Sequence, residues 1–202
     1  MADHAAPPAR GWRAQTPNTL TISRLIMTAA FVAAVAVATK SADPRGWLWS
    51  ALALFVVAGI TDAADGWLAR RWNAISVFGR VVDPLADKVL ILGAFIMLAD
   101  LPGSPIEPWM AVVVLTRELL VTGLRGALEG KGIDFSAGPT GKIKMVLQWL
   151  LLVAVLADFA SDRTEEFNAW QPLVWATWAT VAFTAYSGWP YVRRALSPPT
   201  AT

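Results

Sequence analysis

Four aspartates in one short stretch carry the chemistry of this chain: Asp62, Asp65, Asp83 and Asp87, with Lys88 beside the last. All four fall within or beside long apolar blocks. An aspartate at the centre of a membrane helix costs about 2.5–3.5 kcal/mol, so four acids without four adjacent bases require a compensating charge. A divalent cation supplies it most simply. At about 100° per residue, Asp62 and Asp65 share one helical face, close to the line of Gly66 and Ala69, and Asp83 and Asp87 lie one turn apart, with Gly79 one turn before them. Two such helices joined by a short loop can face their acidic stripes towards each other. Two metals held between them would stabilise the attacking and leaving oxygens of a phosphoryl displacement.

Composition narrows the choice of ion. The 202 residues include no cysteine, and the one histidine, His4, lies in a polar N-terminal stretch rich in Pro and Ala. Thiolate sites and histidine-based triads are thereby set aside. Oxygen ligands remain, which points to a hard cation: Mg²⁺, Mn²⁺ or Ca²⁺. Hydrophobic residues make up 55% of the chain and charged residues 16%, with a mean hydropathy of +0.47. This balance, in blocks of roughly 20 apolar residues, is that of an integral membrane protein. No interleaving of aromatic and basic residues suggests a nucleic-acid surface.

The elements that must position the aspartates are predicted to be six membrane helices and no strands. Their ranges are about Leu20–Thr39, after a Pro17-Asn18 breaker, Gly46–Arg70, Gly79–Ala99, Pro108–Leu128, Gly141–Ala157 and Trp170–Val192. Residues 1–17, with Arg10, Trp12 and Arg13, are expected to lie at the membrane surface. Residues 18–194 would form one membrane domain and residues 195–202 a flexible tail. Arg10, Arg13, Arg70, Arg71, Arg80, Lys131, Arg193 and Arg194 fall on one side of this arrangement, and the opposite loops are mainly acidic. The positive-inside rule then places both termini, and the loops after the second and fourth helices, on the cytoplasmic side.

Read as one string, Asp62-x2-Asp65-Gly66-x2-Ala69-Arg70-x8-Gly79-x3-Asp83-x3-Asp87 resembles the signature of the CDP-alcohol phosphotransferase family. The resemblance implies six membrane helices around a cavity open to the cytoplasm, often in a homodimer. It implies two divalent ions on Asp62, Asp65, Asp83 and Asp87, with Asp87 also the general base and catalytic residue. Asp62, Asp65, Gly66, Ala69, Arg70 and Gly79 would line the CDP pocket. Small residues also pack helices together, so each glycine taken alone has that second reading.

The acceptor is read from the rest of the chain. Pro17-Asn18-Thr19-Leu20-Thr21, Arg24, Asp83-Pro84-Leu85-Ala86-Asp87-Lys88, Thr116-Arg117-Glu118, Arg125 and Gly141-Lys142-Ile143-Lys144 look like the bacterial phosphatidylglycerophosphate synthase subgroup. That likeness implies CDP-diacylglycerol and glycerol 3-phosphate as substrates, in the cell membrane of a bacterium. Arg117, Arg125, Lys142 and Lys144 are then candidates for the acceptor phosphate. Lys142 and Lys144 equally suit markers of the membrane boundary, and Arg117 suits a buried pair with Glu118. Arg24 either snorkels to lipid phosphates or reaches the cavity. Cardiolipin synthesis, with phosphatidylglycerol as acceptor, is the alternative within the family. An ion or proton transporter is the alternative outside it, and it lacks a polar path to the far side of the membrane.

Overall fold

A computed structural model of the chain describes residues 12–72, 77–129, 138–161 and 171–196, with side chains placed for 22–62, 88–127, 138–161 and 171–196. Every element among them is helical: α1 Trp12–Ala38, α2 Arg45–Trp72, α3 Val77–Ala99, α4 Pro108–Glu129, α5 Pro139–Ala160, α6 Pro172–Tyr186 and α7 Trp189–Leu196. Residues 1–11, the loop with Lys131, the acidic stretch 162–170 and the tail from 197 lie outside the described residues.

Local chemistry sets most helix starts. α4, α5 and α6 each begin on a proline, whose missing N–H costs nothing where no intrahelical acceptor exists. Before α2, the Asp43 carboxylate accepts from the Arg45 backbone N–H at 3.3 Å, and the Leu48 N–H donates to the Pro44 carbonyl to close the first turn. After α3 the chain turns through Gly103, whose φ of +74° is one that side-chain-bearing residues avoid.

The structure departs from the sequence expectation at both ends. α1 begins at Trp12 and runs through Pro17. The proline sits in the second turn, where its missing N–H removes one bond to the Arg13 carbonyl and the turns that follow carry the helix on. The predicted sixth helix is two helices, because Pro190 cannot donate to the Tyr186 carbonyl. The chain instead turns at Ser187 and Gly188, with the Ser187 N–H on the Phe183 carbonyl at 2.8 Å and the Gly188 N–H on Ala185 at 3.1 Å.

The residues group into two compact units, Met1–Leu90 and Ile91–Thr202. In the first, α1 and α2 pack through a seam of Thr28, Phe31, Val35 and Ala38 against Leu48, Ala51, Phe55 and Ala58, all buried. The Phe31 and Phe55 rings meet at 5.6 Å. In the second unit, Trp109 of α4 meets Trp178 of α6 at 5.3 Å. The buried Gln148 amide of α5 donates to the Thr184 hydroxyl of α6 at 3.0 Å, which satisfies two polar groups that would be costly alone.

Outside these seams the long helices expose large apolar side chains. Ile26, Ile60, Ile96, Val112, Leu119, Val146, Leu150 and Trp175 are all at least half exposed. Water does not tolerate apolar surface on that scale, but a bilayer does. α5 combines length and composition for a membrane crossing, with a mean hydropathy of 1.9 over its most apolar 18 residues. Ile22–Ala38 and Lys88–Ala99 are shorter apolar stretches.

Candidate active site

α2 carries Asp62, Asp65, Gly66, Ala69 and Arg70 on one unbroken helix, and α3 carries Gly79, Asp83 and Asp87 on the next. The backbone therefore keeps the helical spacings that the acidic stripes require. Of these residues Asp62 has a described side chain; those of Asp65, Gly66, Ala69, Arg70, Gly79, Asp83 and Asp87 lie outside the described residues.

Asp62 Oδ1 receives Arg24 Nη2 of α1 at 2.6 Å. The guanidinium is 3% exposed, while the Asp62 side chain is 33% exposed. Arg24 therefore does not snorkel to lipid; it turns inward onto the first aspartate of the signature. The carboxylate stays accessible on its other side, and a charged oxygen donor of this kind suits a hard divalent cation. Among the described residues no three acidic or histidine side chains converge.

The second unit holds a buried charge cluster. Arg117 Nη1 pairs with Glu118 Oε1 at 3.1 Å, and Lys144 of α5 donates to the same oxygen. Arg117 also reaches the α6–α7 turn, donating through Nε to the Ser187 hydroxyl at 3.0 Å and through Nη2 to the Ser187 carbonyl at 3.4 Å. One guanidinium thus ties α4 to the turn that Pro190 imposes. Gly188 is needed there for close approach, since a Cβ would meet the Ala185 carbonyl at 3.3 Å and Arg117 Cγ at 3.4 Å.

Tyr191 of α7 is the residue the sequence reading missed. It is buried, and its hydroxyl accepts from the Gly138 N–H at the start of α5 at 3.2 Å. Its ring lies 5.9 Å from the Arg117 guanidinium and 6.0 Å from that of Arg125. The negative face of an aromatic ring attracts both cations. Arg125 Nε is buried and has no hydrogen-bond partner among the described residues. Lys142 is exposed, two residues before Lys144 and so about half a turn round α5 from it. The structure thus brings Arg117, Arg125 and Lys144 around Glu118 and Tyr191 and leaves Lys142 outside. The only sequence signal for Tyr191 was an aromatic residue beside Pro190, in a segment that otherwise looked like the end of a membrane span.

Comparison with known proteins agrees with the motif. A family model described as CDP-alcohol phosphatidyltransferase matches residues 14–186. A Bacillus subtilis protein named CDP-diacylglycerol–glycerol-3-phosphate 3-phosphatidyltransferase is 40% identical over 138 residues, covering 68% of this chain and 69% of that one. A Mycobacterium tuberculosis protein named probable phosphatidylglycerophosphate synthase is 36% identical over 187 residues, 91% of this chain and 82% of its own. An Escherichia coli protein with the same name as the Bacillus relative is 31% identical over 169 residues, 82% of each chain.

Proposed function

We propose that this chain, which belongs to the CDP-alcohol phosphatidyltransferase family, transfers the phosphatidyl group of CDP-diacylglycerol to glycerol 3-phosphate. The products are phosphatidylglycerophosphate and CMP. The observation that carries the acceptor is the cluster in the second unit, where Arg117 and Lys144 share Glu118 and Arg125 joins Arg117 at the Tyr191 ring. A surplus of cations among the described residues, with a buried Arg125 Nε that has no partner among them, suits a phosphate carrying close to two negative charges. A neutral alcohol would not need it.

Asp62, Asp65, Asp83 and Asp87 would hold Mg²⁺ or Mn²⁺, two ions per site in this reading, whose chemistry is to neutralise the pyrophosphate charge. Asp87 is the general base: its carboxylate takes the proton of the acceptor hydroxyl as the oxygen bonds to the lipid-bearing phosphorus. The bond from that phosphorus to the CMP oxygen breaks, and CMP leaves with the electron pair. Asp62, Asp65, Gly66, Ala69, Arg70 and Gly79 line the CDP pocket, with the two glycines leaving room for a flat base or a pyrophosphate. Lys142 meets the incoming acceptor at the exposed edge.

α1 to α6 cross the membrane six times, and residues 18–194 form the catalytic membrane domain. Residues 1–17 lie at the interface, with 12–17 extending α1 into it. Residues 195–202 form a tail, and both termini face the cytoplasm of a bacterial cell. Exposed Trp189 and the Arg193 and Arg194 of α7 suit an interfacial helix. The apolar outer faces leave room for a homodimer.

The test is CMP release by the purified chain in detergent with CDP-diacylglycerol, Mg²⁺ or Mn²⁺, and a panel of acceptors. Release that requires glycerol 3-phosphate is the expected result. Release with phosphatidylglycerol alone would overturn the acceptor assignment in favour of cardiolipin synthesis.

A further inference from the structure

Arg24 sits in the α1–α2 seam, and the seam fixes its address. Among the described side chains, the buried positions of α1 are Arg24, Thr28, Phe31, Ala34, Val35 and Ala38, and those of α2 are Leu48, Ala51, Phe55 and Ala58. Phe31 faces Phe55. Seven residues back along α1 is Arg24, and seven residues on along α2 is Asp62, the pair that meets at 2.6 Å. Two helices running antiparallel, stepped by the same heptad from one ring contact, therefore bring the guanidinium to this carboxylate. The register is held by apolar packing, so the cation cannot drift towards solvent.

A seam position is an expensive place for a guanidinium. Arg24 is 3% exposed, and a buried charge must be paired to be tolerated. Asp62 has the opposite problem. It shares a helical face with Asp65, three residues on. Like charges at this spacing repel. Pairing Arg24 with Asp62 answers both costs without any ion.

We propose that Arg24 is a built-in counter-charge that stands in for a cation at Asp62, allowing the acidic end of α2 to pack before a divalent ion is bound. The inference rests on the reading of Asp62 as a metal ligand. Arg24 is a positioning residue that acts through Asp62. Its positive charge compensates the site when metal is absent and opposes metal when it arrives, so it favours a folded metal-free site at the expense of cation affinity. A merely structural seam residue would stabilise both states alike.

The experiment is thermal unfolding of the purified full-length chain in detergent, followed in excess chelator and across a Mn²⁺ titration. Arg24→Met is expected to unfold at a lower temperature in chelator and to recover most of the loss in saturating Mn²⁺. The Mn²⁺ concentration giving half of the stabilisation should fall about tenfold, equivalent to about 1.4 kcal/mol. Arg24→Lys, which keeps the charge, should stay within about twofold of the unaltered chain. An equal loss of unfolding temperature with and without Mn²⁺, at unchanged half-saturation, would overturn the proposal. Should Arg24→Met not fold, the lysine variant carries the test, and a shift of about tenfold in its half-saturation overturns the counter-charge role. Asp62→Asn separates the two readings: if it responds to Mn²⁺ like the unaltered chain, Asp62 is not a ligand, and the assignment beneath the proposal fails with it.

Discussion

Glu118 holds two buried cations with one carboxylate oxygen, and removing it should be costly. Its side chain is 10% exposed, and Oε1 receives both Arg117 Nη1 and Lys144 Nζ. In Glu118→Ala these cations lose their common counter-charge in a site closed to water. Arg117 keeps its bonds to Ser187, while Lys144, which is 4% exposed, loses its bond to Glu118. Breaking a buried ion pair from one side costs about 3–5 kcal/mol. For a chain of this size each kcal/mol lowers the melting temperature by about 2–4 °C, so the expected fall is about 6–20 °C. The assay is thermal unfolding in detergent, read by tryptophan fluorescence. Adding Lys144→Met to Glu118→Ala removes the second member of the pair and should recover a substantial part of the loss, because apolar replacement of both members of a buried pair is often close to neutral. A double variant no more stable than Glu118→Ala would refute the view that the cost is an uncompensated buried charge.

Three further outcomes are expected. Asp87→Asn should retain CDP-lipid binding and lose turnover, since its shape survives and its basicity does not; loss of donor binding, measured by calorimetry, would make Asp87 a structural residue instead. Asp83→Ala should abolish CMP release, and excess chelator should stop the unaltered chain reversibly; full activity in either case would contradict the metal assignment. Tyr191→Phe removes the acceptor of the Gly138 N–H and should cost about 1 kcal/mol of stability. It should also raise the KM for glycerol 3-phosphate more than that for CDP-diacylglycerol, and an equal effect on both would detach α7 from the acceptor side.

Much of the helical layout was legible in the residue order. The starts and ends of α2, α3, α4 and α5 fall within three residues of the predicted bounds, because apolar blocks bounded by Pro, Gly and Asp leave little freedom. The ends of the chain were less legible. Pro17 reads as a breaker and Pro190 as part of a span, yet α1 continues through the first and the last span divides before the second. A proline removes one hydrogen bond in either place, and what the neighbouring turns can bear decides whether the helix survives. At Ser187 and Gly188 the Arg117 guanidinium supports the turned chain, a partner 70 residues away that local sequence does not announce.

The sequence by itself determined the family and the acidic signature, because the spacing Asp62-x2-Asp65 and Asp83-x3-Asp87 carries its meaning along a helix, where neighbours in space are neighbours in sequence. Tertiary structure alone decided which distant basic residue meets which acid. Arg24 could have reached lipid or protein, and the heptad register of α1 on α2 turned it to Asp62. Lys144 could have marked the membrane boundary, and the packing of α5 brought it to Glu118 instead. Such pairings join residues 26 or more positions apart, and their partners are chosen by the apolar seams between helices, which no local pattern of charges records.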